Sequence, residues 1–217
     1  MSPQMIDRLW QAFYDTLFMV GISAGIAVLA GIPLAVFLVT SRPGGIFAAP
    51  GLNRIVGLIV NCFRAVPFIV LLVALIPFTR LIVGTTIGVW AAIVPLAVSA
   101  TPFFARIVEV SLREIDPGLI EAAQSIGCRR HHIIRYVYLP EALPGIIGGL
   151  TITVVTMIGA SAMAGAVGAG GLGDVAIRYG YQRFDTTVMM AVIVILVALV
   201  SVVQFTGDYA VRRLKAR

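Results

Sequence analysis

Residues 17–39 read LFMVGISAGIAVLAGIPLAVFLV, and this stretch decides the fold because it contains no charged residue. A helix needs about 20 consecutive apolar residues to cross the hydrocarbon of a bilayer. Four more apolar stretches follow along the chain, at about 58–78, 81–105, 143–164 and 187–205. The sequence therefore predicts an all-α integral membrane protein with about five transmembrane helices, in a single domain over residues 1–217.

The first stretch is predicted to be a retained helix and not a signal peptide. The apolar core of a signal peptide is only about 7–15 residues long, and here four further spans follow. Composition supports a membrane protein, because the 217 residues are 59% hydrophobic and only 12% charged. A soluble domain is roughly 45–50% apolar and about 25% charged.

The net charge of +6 indicates membrane orientation and not nucleic-acid binding. The basic residues lie in short segments between apolar runs, without interleaved aromatic residues, and positive loops tend to face the cytoplasm. If the N-terminus is outside, only four of the sixteen basic residues are external: Arg8, Arg80, Arg178 and Arg183. The sequence thus predicts a multi-pass protein with an external N-terminus and a cytoplasmic C-terminus. The two cysteines, Cys62 and Cys128, form neither a CxxC motif nor a disulfide framework.

Arg64 lies inside or at the edge of the second span, whose start the sequence does not define. An ionisable residue within a membrane is a functional-site hypothesis by default. The alternative, which the sequence favours, is that the guanidinium extends to the nearby headgroups.

Residues 116–137 form a polar segment between the third and fourth spans. Asp116 and Pro117 are typical of a helix start, and Gly127 suits a helix end. A second helical stretch is predicted at about 129–137, and Pro140 then opens the next span. An apolar stripe at helical spacing runs along the first helix: Leu119, Ile120, Ala123 and Ile126. The stripe fits a groove on a partner protein or the membrane surface.

The string EAAQSIG at 121–127, followed by nine residues and then VYLP at 137–140, resembles the EAA motif of ABC importer permeases. The matching positions are Glu121, Ala122, Ala123, Gly127, Leu139 and Pro140. Val137 stands where the family usually has Ile. The resemblance implies that this segment is a cytoplasmic coupling helix that seats in an ATPase subunit, with Glu121 and Gly127 the most sensitive to substitution.

Longer segments resemble the methionine-uptake ABC permeases of bacteria. They include FRAVPFIVLLVALIPFTRLIVGTTIG at 63–88 and SAMAGAVGAGGLGDVAIRYGYQRFDTTVMM at 161–190. The resemblance implies a permease in the bacterial inner membrane that translocates D- and L-methionine by alternating access. It also implies a second permease copy, two ATPase subunits that hold ATP and Mg, and an external substrate-binding lipoprotein. Related permeases carry other amino acids, short peptides, glycine betaine or phosphonate, and these solutes remain alternatives.

The chain itself is predicted not to be an enzyme and to hold no cofactor or metal. Its single lysine, Lys215, is not part of the Gly-Lys-Ser/Thr sequence that a P-loop needs to hold phosphates. Any ATP hydrolysis therefore takes place on another chain. A passive channel is a weaker alternative, since nothing resembles a selectivity filter or a charged ring.

The fourth span is the predicted pathway wall because it continues directly from the coupling segment. Ser161, Met163 and Gly165 are small or adaptable, and Met163 could close the path; ordinary helix packing is the alternative for each. The GAGGLG run matches GxGxxG, but no strand precedes it, so a dinucleotide site is not predicted. Gly170 and Gly171 in this run are predicted to form a flexible turn at the outer mouth, which is either a plain loop or part of a gate.

Overall fold

The computed structural model describes residues 3–215, and within that range it contains helices and no β-strand. In chain order the helices are α1 (Pro3–Thr40), α2 (Pro50–Ala65), α3 (Phe68–Ala74), α4 (Ile76–Val83), α5 (Val89–Arg113), α6 (Pro117–Ser125), α7 (Arg130–Ile133), α8 (Leu139–Ala166), α9 (Gly171–Val175) and α10 (Thr186–Lys215). One turn of π-helix, Ile134–Tyr138, joins α7 to α8, and another, Ala176–Tyr181, follows α9. The predicted all-α class is confirmed.

Four helical stretches are long and apolar enough to cross a membrane: α1, α5, Arg130–Ala166 and α10. The pair of α2 and α3 passes the same test together and makes a fifth candidate, but it is bent by 104°. The predicted stretches 17–39, 143–164 and 187–205 lie within α1, α8 and α10. Each of these helices continues beyond the uncharged core of its span.

The second span, predicted at 58–78, is not a single helix. The chain breaks after Ala65, and Val66 takes an extended conformation with φ −79° and ψ 125°. A residue that precedes proline is driven out of the helical region by the proline ring, and here Pro67 has this effect. A run of apolar residues indicates how long a span is but not whether its helix bends, so the sequence did not predict the sharp bend between α2 and α3.

The third span, predicted to start at 81, starts at Val89. Helix α4 ends where Gly84 adopts a left-handed φ of +79°, and Gly88 has a φ of +94° immediately before α5. Residues 81–88 contain no charged residue. Hydropathy therefore does not separate them from the apolar helix that follows, and the predicted span began too early. The α5 helix then runs eight residues past the predicted end at 105, to Arg113.

Two apolar clusters define the two ends of the helix bundle. At the motif end, where residues 116–137 lie, the ends of α1 and α5 pack with α6, α7 and the start of α8. At the far end, the start of α1 packs with α9 and the start of α10 through Leu9, Ala12, Leu172, Val188 and Val192. A third cluster, centred on Met19, Leu96 and Met157, fills the middle.

Candidate functional site

The helix that carries the EAA-like motif begins as the sequence predicts. The Oδ1 atom of Asp116 accepts a hydrogen bond of 2.8 Å from the backbone N–H of Gly118, and Pro117 occupies the first helical position. This cap satisfies one of the backbone donors that a helix start leaves free. The helix is only nine residues long, so its position depends on what it packs against.

Two contacts between α6 and the rest of the chain come from one side of the motif. Ala123 is buried, and Ile120 is half-buried in the motif-end cluster. Ile133 of α7, with 1% of its surface exposed, lies in the same cluster as Val108 and Leu112 of α5. The motif helix thus joins, through Ala123 and Ile120, the same apolar cluster as the end of α5.

The remaining motif residues lie on different faces. Glu121, Ala122 and Gly127 are exposed, Leu139 is half-buried and Pro140 is exposed. Glu121 takes part in none of the three ion pairs found among residues 3–215. Its carboxylate is therefore free to meet a cation on another protein.

Gly127 forms the turn that ends the motif helix. Its φ is +77°, a left-handed value that favours glycine. Its N–H donates to the carbonyl oxygen of Gln124 at 2.9 Å, and the N–H of Cys128 donates to that of Ala123 at 3.1 Å. The second helical stretch then follows as α7 and the π-helical turn, which lead without a break into α8. The predicted pair of short helices about a glycine is present.

The predicted apolar stripe is divided between the protein core and the surface. Ile120 and Ala123 turn inward, whereas Leu119 is 45% and Ile126 is 80% exposed. Two exposed aliphatic side chains beside exposed Glu121 make a mixed surface that fits a groove on a partner protein.

Sequence reasoning missed a buried carboxylate at the motif end of α5. Glu109 is only 1% exposed. One of its oxygens accepts a 2.5 Å hydrogen bond from Arg106, and the other accepts one from Arg113. Arg106 also donates to Oδ1 of Asn61 on α2 at 3.3 Å. The 106/109/113 spacing is that of helical neighbours, which was the available signal, and the cluster ties α5 to α2.

The pathway candidates on α8 divide into buried and exposed positions. Ser161 is buried and its hydroxyl donates to the carbonyl oxygen of Ile158 at 2.7 Å, so its side chain is engaged within its own helix. Met163 is 52% exposed. It continues an exposed face that includes Ile152, Thr156 and Gly159. That this face lines the pathway stays a prediction.

Gly165 and Gly171 serve close packing. A methyl group on Gly165 would overlap the backbone of Gly173, the closest carbonyl carbon lying 2.7 Å away. Gly171 has a φ of +74°, and a methyl group there would lie 2.7 Å from Thr16 Oγ1 on α1.

The turn at Gly170 and Gly171 is held on both sides. The N–H of Leu172 donates to Thr16 Oγ1 at 2.9 Å, and the N–H of Gly88 donates to the carbonyl oxygen of Gly168 at 2.9 Å. Gly170 has a φ of +82° and is half-buried. The turn thus contacts both α1 and the residues just before α5, and its flexibility and any part in a gate stay predictions.

A cleft of about 330 Å³ with charged residues in its walls lies at the far end beside this turn. Its walls come from the start of α1 and from α9 and the π-helical turn after it, and they include Asp7, Arg8, Asp15 and Tyr179. Arg178 pairs with Asp174 at 2.6 Å in the same cleft. Mixed charges of this kind suit a polar protein partner.

A smaller cleft of about 80 Å³ lies where α2 breaks, between α5 and α8. It is lined by Arg64, Phe63, Ser99, Phe103, Thr153 and Thr156. Among residues 3–215, no group of three or more His, Cys, Asp or Glu side chains is placed to hold a metal ion.

Comparisons with known proteins point in one direction. The sequence profile of the family described as "Binding-protein-dependent transport system inner membrane component" matches residues 31–216. The "Probable D-methionine transport system permease protein MetI" of Vibrio cholerae is 53% identical over 211 residues, which is 97% of this chain and 94% of that protein. The "Methionine import system permease protein MetP" of Bacillus subtilis is 39% identical over 203 residues, 94% of this chain and 91% of that protein.

Solved structures agree with these relatives. A chain of the MetNI methionine ABC transporter in an inward-facing conformation superimposes with a TM-score of 0.97 and 51% identity, over 99% of both chains. A chain from an amino acid ABC transporter crystallised with histidines superimposes with a TM-score of 0.74 at 21% identity, over 99% of this chain and 95% of that one. The second likeness concerns the fold alone.

Proposed function

This chain belongs to the family of binding-protein-dependent transport system inner membrane components, and we propose that it is the permease subunit of an ABC importer that carries methionine, in D and L forms, into the bacterial cell. The observation that carries this proposal is the 51% identity with the MetNI permease chain over 99% of both chains. Relatives named as methionine permeases match over more than nine-tenths of the chain.

The proposed mechanism is alternating access driven from a separate motor. ATP and Mg are held by the partner ATPase, and two ATPase subunits serve two copies of this permease. Closure of the ATPases moves α6, whose Ala123 shares an apolar cluster with Ile133 of α7 and with the end of α5. The permeases then open outward to accept the solute, and hydrolysis returns them to the inward-open state.

The contact with the ATPase is proposed to be the exposed side of α6. Ile126 and Leu119 supply apolar area, and Glu121 supplies a charge that has no ion-pair partner among residues 3–215. Burial of such side chains in a partner groove stabilises a complex by roughly 25 cal/mol for each Å² of apolar surface.

We propose that the motif end faces the cytoplasm and that the far end faces outward. Arg106, Arg113, Arg129 and Arg130 lie at the motif end, and basic residues tend to remain on the cytoplasmic side. The far end carries the 330 Å³ cleft with its mixed charges. The external substrate-binding lipoprotein is proposed to dock over this cleft.

Uptake of labelled methionine tests the function. Vesicles would contain this chain with its ATPase, and the loaded binding protein would be outside with ATP supplied on the motor side. We expect methionine to accumulate only with ATP, and unlabelled D- and L-methionine to compete. Uptake that continues without the ATPase would indicate a passive channel. If glycine betaine or phosphonate is taken up in preference to methionine, that solute would be assigned as the substrate.

Ile126→Asp is expected to weaken capture of the ATPase about tenfold, because a charged group would have to lose its water in the partner groove. The folded permease should be unaffected, since Ile126 is 80% exposed and a charge there meets solvent in the free chain. Copurification of the ATPase with tagged permease measures the effect.

Two variants control this test. Ile126→Leu keeps the apolar contact and should retain the ATPase. Leu29→Met changes a side chain that is 79% exposed on α1, away from α6, and should also retain it. Equal capture by Ile126→Asp and the unmodified protein would exclude this face as the docking surface.

A further inference from the structure

Arg64 is an exposed basic residue to which the proposed mechanism gives no role. It lies in the last turn of α2, two residues before the Val66–Pro67 break. The residues that share its cleft include Ser99 of α5 and Thr156 of α8. Ser99 is ten residues from the start of α5 and seven from Arg106, the first charged residue of that helix, or roughly 15 and 10 Å along the axis.

This depth separates the two interpretations of Arg64. Lys and Arg extend to headgroups when they lie near the ends of a membrane helix. Here Ser99 lies seven residues inside Arg106, the first charged residue of α5, and Thr156 is inside α8, ten residues before its end. An arginine at such depth needs an anion or a polar site.

The chain offers this arginine no carboxylate. None of the eleven residues that line the cleft is acidic, and Arg64 takes part in none of the three ion pairs among residues 3–215. The hydroxyls of Thr153 and Thr156 already donate to the carbonyl oxygens of Gly149 and Ile152, at 2.7 and 2.8 Å. Their oxygens are left as acceptors, so the guanidinium is the charged donor of the cleft.

We propose that Arg64 binds the carboxylate of the amino-acid substrate during its passage. A guanidinium matches a carboxylate with two parallel hydrogen bonds. The hydroxyl oxygen of exposed Thr156 can accept from the substrate's ammonium group, while Phe63 and Phe103 offer rings to an apolar side chain. This inference rests on the proposed import of an amino acid. It adds that the guanidinium of Arg64 binds the substrate's carboxylate.

The exposed face of α8 places this site on a path. Thr156 belongs both to the cleft and to the face that continues through Gly159 to Met163. The cleft, at about 80 Å³, holds a carboxylate rather than a whole amino acid. The rest of the substrate would therefore lie in the open space beside α8, where it can leave again.

Chemical protection in the intact complex tests the assignment without a substitution. Phenylglyoxal modifies accessible arginines, and mass spectrometry of the permease–ATPase complex in nanodiscs gives the rate at Arg64. Methionine should slow that rate several-fold, and methioninol, which lacks the carboxylate, should not. Protection by neither compound, or equally by both, would overturn the proposal. Protection only by added anionic phospholipid would assign Arg64 to headgroups instead.

Uptake by variants gives the second measurement. Arg64→Gln should lower methionine uptake about tenfold or more, in line with loss of a hydrogen bond to a charged group. Uptake per ATP hydrolysed should fall with it, and Arg64→Lys should restore part, since lysine keeps the charge but not the fork. Arg54→Gln, on the same helix and exposed, should import normally.

Different results would contradict methionine import and the carboxylate site at Arg64. Absence of methionine uptake by the unmodified complex would contradict the proposed function. Normal uptake by Arg64→Gln in a complex that imports methionine would contradict the carboxylate site alone, as would equal losses in the Arg64 and Arg54 variants. If Arg64→Gln fails to retain the ATPase, the protection experiment decides.

Discussion

Gly127→Pro is expected to abolish methionine uptake while the protein still inserts into the membrane. Gly127 has a φ of +77° and donates its N–H to Gln124 at 2.9 Å. Proline fixes φ near about −65° and has no N–H, so both the turn and its hydrogen bond are lost. The motif helix would then leave its position over α5, and ATPase movement would no longer reach the bundle. Transport assays in vesicles, with membrane-extracted protein as the measure of insertion, test this.

Gly84 provides a matched control on α4. Its φ is +79°, and its N–H donates to the carbonyl oxygen of Arg80 at 2.9 Å. Gly84→Pro therefore causes the same local loss at a place that does not touch the motif helix, and we expect uptake to persist. Gly127→Asn, which tolerates a left-handed turn, should also retain activity. Normal uptake in Gly127→Pro would contradict the coupling role of this turn.

Gly171→Ala is expected to lower the stability of the folded protein by about 2–5 kcal/mol. The left-handed φ of +74° costs an L-residue about 1–2 kcal/mol. Overpacking adds typically 1–3 kcal/mol, because the new methyl group would lie 2.7 Å from both Thr16 Oγ1 and Met19 Cε. The hydrogen bond from Leu172 to Thr16 would be strained as well. Thermal unfolding of the purified permease, or the fraction that stays monodisperse on heating, measures the loss.

Gly168→Ala separates strain from overlap in that experiment. Gly168 has a φ of +90°, but a methyl group there meets Ile87 Cγ2 at 3.4 Å, which is an ordinary contact. It should show the smaller, purely conformational loss. Gly171→Ala and Gly168→Ala with equal unfolding temperatures would mean that α1 yields to the added methyl group and that the turn is less tightly packed than its distances indicate.

Sequence alone predicted the all-α class, the cap at Asp116 and the glycine turn at Gly127. These features depend on local chemistry: apolar length, a side-chain acceptor before a proline, and a residue free to adopt a positive φ. Each of these causes acts among residues that are neighbours in the chain, so each feature can be predicted from a single sequence.

Other features were beyond a single sequence because they depend on contacts between distant residues. The bend at Val66–Pro67 sets a direction of 104° that hydropathy does not encode. The cleft that Arg64 shares with Ser99 and Thr156 joins residues from three helices that are distant in sequence. Likewise, the hydrogen bond from Leu172 to Thr16 beside Gly170 and Gly171 joins residues that are 156 positions apart in the sequence.

The union of the motif segment with α8 has a mechanical consequence. Helix α8 has 28 residues and is about 42 Å long. Near its start, at the motif end, it crosses α5 at two glycines. Gly145 lies against Ser111, and a methyl group on Gly149 would lie 2.6 Å from Ile107. A push on the start of α8 would be passed along the helix through these close contacts to α5, and at its other end to α9, because Gly165 lies directly against the backbone of Gly173. A displacement at the start of α8 would thereby reach both neighbouring helices, with no need for α8 itself to bend.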